Sequence, residues 1–97
     1  MDKFALLVVL QAKAGKETEV EEFLKSAQPL AMREAGTTSW YAVSMGHGRF
    51  GIFDTFKSET GRDAHLTGEI AKALFARAAE LFDPAPTVEK LTILASK

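Results

Sequence analysis

Two histidines, no cysteine and one acid set inside an apolar strand limit the chemistry open to this chain. His65 stands near the start of a helical stretch, and its imidazole, with an ordinary pKa near neutrality, suits a general base. Arg62 precedes it by one helical turn and Glu69 follows by another. A continuous helix would put all three on one face, where a carboxylate could orient the imidazole and the guanidinium could hold an anionic oxygen. The same spacing also describes a half-exposed histidine with two solvated ion-pair partners of little worth, and Gly68 invites a break before Glu69. Asp54 is the second conspicuous group, because it interrupts the apolar run from Phe50 to Phe56. A carboxylate within a buried sheet must be hydrogen-bonded or paired. Structural pairing with an indole or a helix-start amide is the plainer account of Asp54, and a place in a binding site is the sharper one.

Aromatic residues surround these groups in the sequence. Trp40 and Tyr41 open one extended run and must face opposite ways, while Phe53 and Phe56 share the next run with Asp54. Each ring taken singly reads as core, but together Trp40, Phe53 and Phe56 would line an apolar site suited to a flat aromatic ligand. His47 lies between two glycines at a hairpin tip, too far along the strand to join His65. No two histidines stand at ligand spacing and no Gly-x-Gly-x-x-Gly follows a strand, so neither a metal nor a dinucleotide or flavin cofactor is expected.

Composition narrows the classes further. A chain of 97 residues reads as one domain spanning 1–97, small enough that a partner subunit would help its core. Twelve basic against thirteen acidic residues leave a net charge of -1, which offers no field for a nucleic acid or an anionic membrane surface. The absence of cysteine excludes disulfides, thiolate metal sites and a thiol nucleophile. The apolar run Phe4 to Leu10 is too short to span a membrane and no small-residue cleavage site follows it, so a soluble cytoplasmic protein is expected.

The elements that must position these residues follow from periodicity. Phe4 to Ala12 reads as a strand, and from Lys16 a period of 3.6 places Val20, Phe23, Leu24, Ala27 and Ala31 on one helical stripe. Pro29 should bend or fray that helix, and Gly36 should end it as a left-handed cap. Thr38 to Met45 and Arg49 to Phe56 form a hairpin through Gly46-His47-Gly48; with that loop, Asp54 falls opposite Trp40, and a two-residue loop would shift the pairing by one. Ser58 caps a short helix, and after Gly68 an amphipathic helix buries Ile70, Ala71, Leu74, Ala78, Leu81 and Phe82. Val88 to Ala95 supplies the last strand. The order βαββαβ with right-handed crossovers gives an α+β ferredoxin-like plait, a four-stranded antiparallel sheet with its helices on one face. Strand one is apolar at both parities, so its second face also needs cover. A second copy packed across a two-fold axis is the simplest cover, which makes the expected assembly a homodimeric α+β barrel.

The segments EAGTTSWYAV (34–43), FGIFDTF (50–56), GRDAHLTG (61–68) and the ending VEKLTILASK resemble, in order and spacing, the antibiotic biosynthesis monooxygenase family of small dimeric α+β barrels. The resemblance spans nearly the whole chain. It implies relatives that include cofactor-free quinol and polyketide monooxygenases, haem-degrading enzymes and proteins that process a quorum signal. It also implies a pocket-facing histidine at the His65 position, as in the matching AHL segment of some members, and favours Trp40 over Tyr41 as pocket-lining. A haem-degrading relative would carry a second, ligating histidine further down the helix, where this chain reads IAKALFARAAEL. The function so implied is a monooxygenase that needs no cofactor and joins a small hydroquinone or polyphenol to dioxygen, with His65 as base and Arg62 steadying the phenolate. The alternatives are a non-catalytic barrel that binds a small hydrophobic molecule, or an isomerase-type or haem-degrading relative.

Overall fold

A computed structural model describes residues 2–97 of the chain. Strand β1 (Phe4–Gln11) carries aliphatic residues at almost every position and takes a central place, hydrogen-bonded to neighbours on both sides. Helix α1 (Glu17–Met32) follows the Gly15 turn with Glu17 and Glu19 in its first turn, where the helix dipole favours anions. It runs unbroken through Pro29 and buries Val20, Leu24, Ala27 and Ala31. Strands β2 (Thr37–Gly46) and β3 (Arg49–Phe56) form the expected hairpin. Its loop is two residues, His47 and Gly48, both with positive φ, but an irregularity between Ser44 and Gly46 leaves Met45 as an extra residue in β2. That bulge restores the pairing of Asp54 with Trp40 that a longer loop would have given.

Ser58 caps α2 (Glu59–Leu66), its Oγ accepting from the Gly61 amide at 3.1 Å. The second helical region is segmented: α3 (Glu69–Ala76) starts after a break at Thr67 and Gly68, and α4 (Ala78–Leu81) after another at Arg77. Strand β4 (Thr87–Thr92) closes the sheet and stops short of the Ala95 expected from alternation. The strand order is β2-β3-β1-β4, all pairs antiparallel, which is the ferredoxin-like arrangement. No helix among the described residues is long and apolar enough to cross a membrane.

The helices cover one face. Val8, Leu10, Phe50 and Ile52 pack there against Val20, Leu24, Leu74, Leu81 and Phe82, and Trp40 touches both this cluster and a smaller one of Ala27, Ala31 and Ile70. The opposite parity carries Leu7, Val9, Tyr41, Val43, Phe53 and Leu91 to the other face, where Tyr41 is 59% exposed. Gly36 departs from its expected role. It has no left-handed φ; instead, a Cβ on it would meet the Gly61 Cα at 3.0 Å, so the pair of glycines lets α2 lie against the start of β2.

Candidate functional site

The helix-covered face places Asp54 at the end of β3 next to α2. Asp54 is fully buried, and α2 brings His65, 8% exposed, above it. The His65 Nε2 stands 2.9 Å from Asp54 Oδ2, the distance of an ion pair, but the ring N–H is off the line to the oxygen, and neither Asp54 oxygen receives a well-aligned hydrogen bond. On the other side of the ring, Nδ1 lies 2.5 Å from Oε1 of Glu34, in the turn between α1 and β2. Thr37 closes that turn: its amide donates to the Glu34 carbonyl at 3.2 Å and its hydroxyl to Glu34 Oε1 at 2.8 Å. Three elements therefore contribute one group each to a line, Glu34–His65–Asp54. Phe56 is fully buried beneath it, its ring centroid 5.3 Å from that of His65.

The electrostatics favour a charged imidazole. Burial alone lowers the His65 pKa, but the closeness of Asp54 and then of Glu34 outweighs it, so the pKa rises above its ordinary 6.5. Asp54 is raised above 3.8, first by burial; His65 beside it offsets part of that rise, and the charge of Glu34 adds to it. With both ring nitrogens facing carboxyl groups, a charged imidazole is hydrogen-bonded to Glu34 on one side and paired by charge with Asp54 on the other. The cluster thus places two carboxyl groups and one imidazole together in a poorly solvated place, where His65 and Asp54 both hold a proton more tightly than they would in water.

The line reaches solvent at a cavity of about 610 Å³ bordered by Leu30, Glu34, Thr37, Gly61, His65 and Gly68, among others. The residues singled out in the sequence divide around it. His65 and Asp54 meet, with Phe56 against them. Trp40 stands opposite Asp54 in the sheet with its indole N–H buried and unpartnered, but it borders a different cleft, about 540 Å³ between α1 and β2, together with Leu24, Tyr41 and Phe50. Phe53 points to the opposite face, because it differs from Asp54 in strand parity, and so does not join the site. Arg62 is buried, but its Nη1 donates to the carbonyls of Leu91 at 3.2 Å and Ala5 at 3.4 Å and its guanidinium lies over the Phe4 ring. It fastens α2 to the sheet and does not border the His65 cavity. Glu69 begins a separate helix, so the carboxylates that hold the imidazole are Glu34 and Asp54 instead. Glu34 was not legible from spacing, since it lies 31 residues before His65 at what reads as a helix end.

No protein-family model and no curated protein matches the chain. Among solved structures, a protein of unknown function from Nitrosomonas europaea is 52% identical over 100% of this chain and 94% of its own, with a TM-score of 0.96. A candidate antibiotic biosynthesis monooxygenase from the same organism is 14% identical over 99% of this chain and 94% of its own, with a TM-score of 0.84. Another from Caulobacter crescentus is 18% identical over 97% of this chain and 92% of its own, with a TM-score of 0.79. The last two likenesses are of fold.

Proposed function

We propose that this chain, which belongs to one family with the 52% identical Nitrosomonas europaea protein and has the fold of the candidate antibiotic biosynthesis monooxygenases, joins a small dihydric phenol to dioxygen without a cofactor. The observation that carries the proposal is the buried line Glu34–His65–Asp54 ending at a cavity of about 610 Å³. The line takes the phenolic proton at its cavity end. The resulting phenolate is electron-rich enough to pass one electron to dioxygen. The two radicals then couple at a ring carbon beside the phenolate to give a peroxide anion, and the line returns its proton to make the hydroperoxide. Cleavage of its O–O bond releases hydroxide, which takes the hydrogen of that carbon as a proton and leaves as water, so that a carbonyl remains. A dihydroxyarene and dioxygen thus become a hydroxyquinone and water, and all electrons come from the substrate. His65 serves as the middle of the line, Asp54 as its inner end, and Phe56 holds the imidazole in place. We propose further that a second copy of the chain covers the apolar sheet face of Tyr41, Val43 and Phe53, giving a homodimer.

Oxygen uptake by metal-free protein offered a panel of hydroquinones and polyphenols, run beside His65→Ala, tests the reaction. Uptake by the wild type that falls by roughly a hundredfold or more in the variant is expected, the usual worth of a proton-transfer group. Equal uptake by both, or none by either, would overturn the proposal.

A further inference from the structure

We infer that Glu34 meets the substrate hydroxyl through its Oε2, and that Thr37 is the positioning residue that turns this oxygen towards the cavity. The inference rests on the proton-transfer function proposed above and names the atom where that transfer begins. Of the three groups in the line, Asp54 is fully buried and His65 nearly so, whereas the Glu34 side chain keeps 21% of its surface. Neither nitrogen of His65 is free to take a proton from a ligand, since one faces Glu34 and the other Asp54. The two oxygens of Glu34 are not equivalent. Oε1 stands within hydrogen-bonding distance of both the His65 ring and the Thr37 hydroxyl, which uses both of its lone-pair directions. Oε2 has no hydrogen-bond or ion-pair partner among the described residues, and it lies 3.2 Å from where a Cβ at position 68 would stand. Glycine at 68 is what lets the carboxylate lie this close to the α2–α3 junction, beside the cavity that Glu34, Thr37, His65 and Gly68 all border.

A carboxylate oxygen fixed this way accepts from a donor. The ligand class is therefore a neutral hydroxyl with a removable proton, as in a free phenol, and an aryl ether of the same shape lacks the group that Oε2 needs. Thr37 acts at one remove, since it touches Glu34 and its turn, not the ligand. Its hydroxyl and the Glu34–Thr37 backbone bond together hold the carboxylate in one rotamer.

The test compares wild type, Glu34→Gln, Thr37→Val and Thr37→Ser in two measurements. The first is calorimetric binding of hydroquinone and of its dimethyl ether under argon, where nothing is oxidised. Wild type is expected to prefer hydroquinone by about tenfold, the worth of one hydrogen bond to a charged acceptor, and Glu34→Gln to lose most of that preference. The second is steady-state oxygen uptake. Thr37→Val is expected to lower kcat by about tenfold with KM little changed, and Thr37→Ser to restore most of it, which loss of folded protein alone would not do. An unchanged binding preference in Glu34→Gln, or a wild-type kcat in Thr37→Val, would overturn the inference. If Glu34→Gln fails to fold, the Thr37 pair decides, through the binding preference as well as kcat. The two proposals fail separately. Wild type that discriminates between phenol and ether through Glu34 but consumes no oxygen would sink the oxygenase and keep Glu34 as the contact; oxygen uptake that survives Glu34→Gln would do the reverse.

Discussion

The sheet shows two faces built from alternate residues of the same strands, and they make opposite demands on their neighbours. On the helix-covered face a carboxylate, Asp54, sits fully buried among Phe56, Ile52 and Leu6, and is tolerated because α2 delivers an imidazole to it. On the other face Tyr41, Val43 and Phe53 form an apolar surface that no element among the described residues covers. Polar chemistry is thus paired inside the fold, while apolar surface is left exposed on the protomer. The cost of burying a charge has to be met within the protomer, whereas apolar area can be buried later against another molecule.

Two phenylalanines on β3 break this comparison most directly. Phe56→Ala removes a fully buried ring from beneath His65 and is expected to cost about 3–5 kcal/mol, a large share of what a domain of this size commands. Phe53→Ala should cost the isolated protomer less than half as much and should instead shift the protein to monomer in sedimentation. Equal losses in denaturant titrations of the two variants, with association intact in both, would erase the distinction between the faces. Gly61→Ala comes next. Its Cβ would meet the Gly36 carbonyl oxygen at 3.1 Å and the Gly36 Cα at 3.3 Å, both backbone atoms, so α2 must move off the turn that carries Glu34. A loss of about 1–3 kcal/mol is expected, with oxygen uptake falling more than stability, because the Glu34–His65 contact spans that seam.

The dependence on pH sharpens the comparison further. Both His65 and Asp54 hold their protons more tightly when folded than their ordinary 6.5 and 3.8. The native state then binds more protons than the unfolded chain, so stability falls as pH rises through the windows above those values. For His65 the stabilisation is complete below 6.5 and is lost as pH passes its raised folded value. Denaturant midpoints measured between about pH 6 and about pH 9 should therefore decline in wild type and stay flatter in His65→Gln. A rising wild-type curve would contradict the imidazolium. The smallest effect is expected at Arg77, whose exposed pairs with Glu19 and Glu80 are solvated; Arg77→Ala should leave the thermal midpoint unchanged within error.

Much of this architecture was legible in residue order. The hairpin glycines, the Ser58 cap, the apolar stripe of α1 and the two-sided apolar β1 each follow from local propensity, whereas the opposition of Trp40 and Asp54 holds because a bulge at Met45 offsets a loop one residue shorter than Gly46-His47-Gly48. Other features were misread for reasons that are themselves local. Gly36 looked like a cap because glycine ends helices, yet it is glycine because Gly61 needs the space. Phe53 looked like a neighbour of Asp54 because it adjoins it in sequence, yet adjacent strand residues point apart. The only signals for Glu34 were its place before a turn and Thr37 three residues on, and neither names a histidine as its partner.

By itself the sequence determined the kinds of group available, a lone helix imidazole, a carboxylate that had to be paired and an apolar strand needing cover on both sides, because residue type and short-range periodicity carry that information. Only the tertiary structure decided which carboxylates flank His65, that Arg62 binds backbone carbonyls and not the cavity, and that His65 and Thr37 both meet the same oxygen of Glu34. Those outcomes depend on how three elements distant in sequence converge, and the geometry of that convergence is set by packing across the whole sheet.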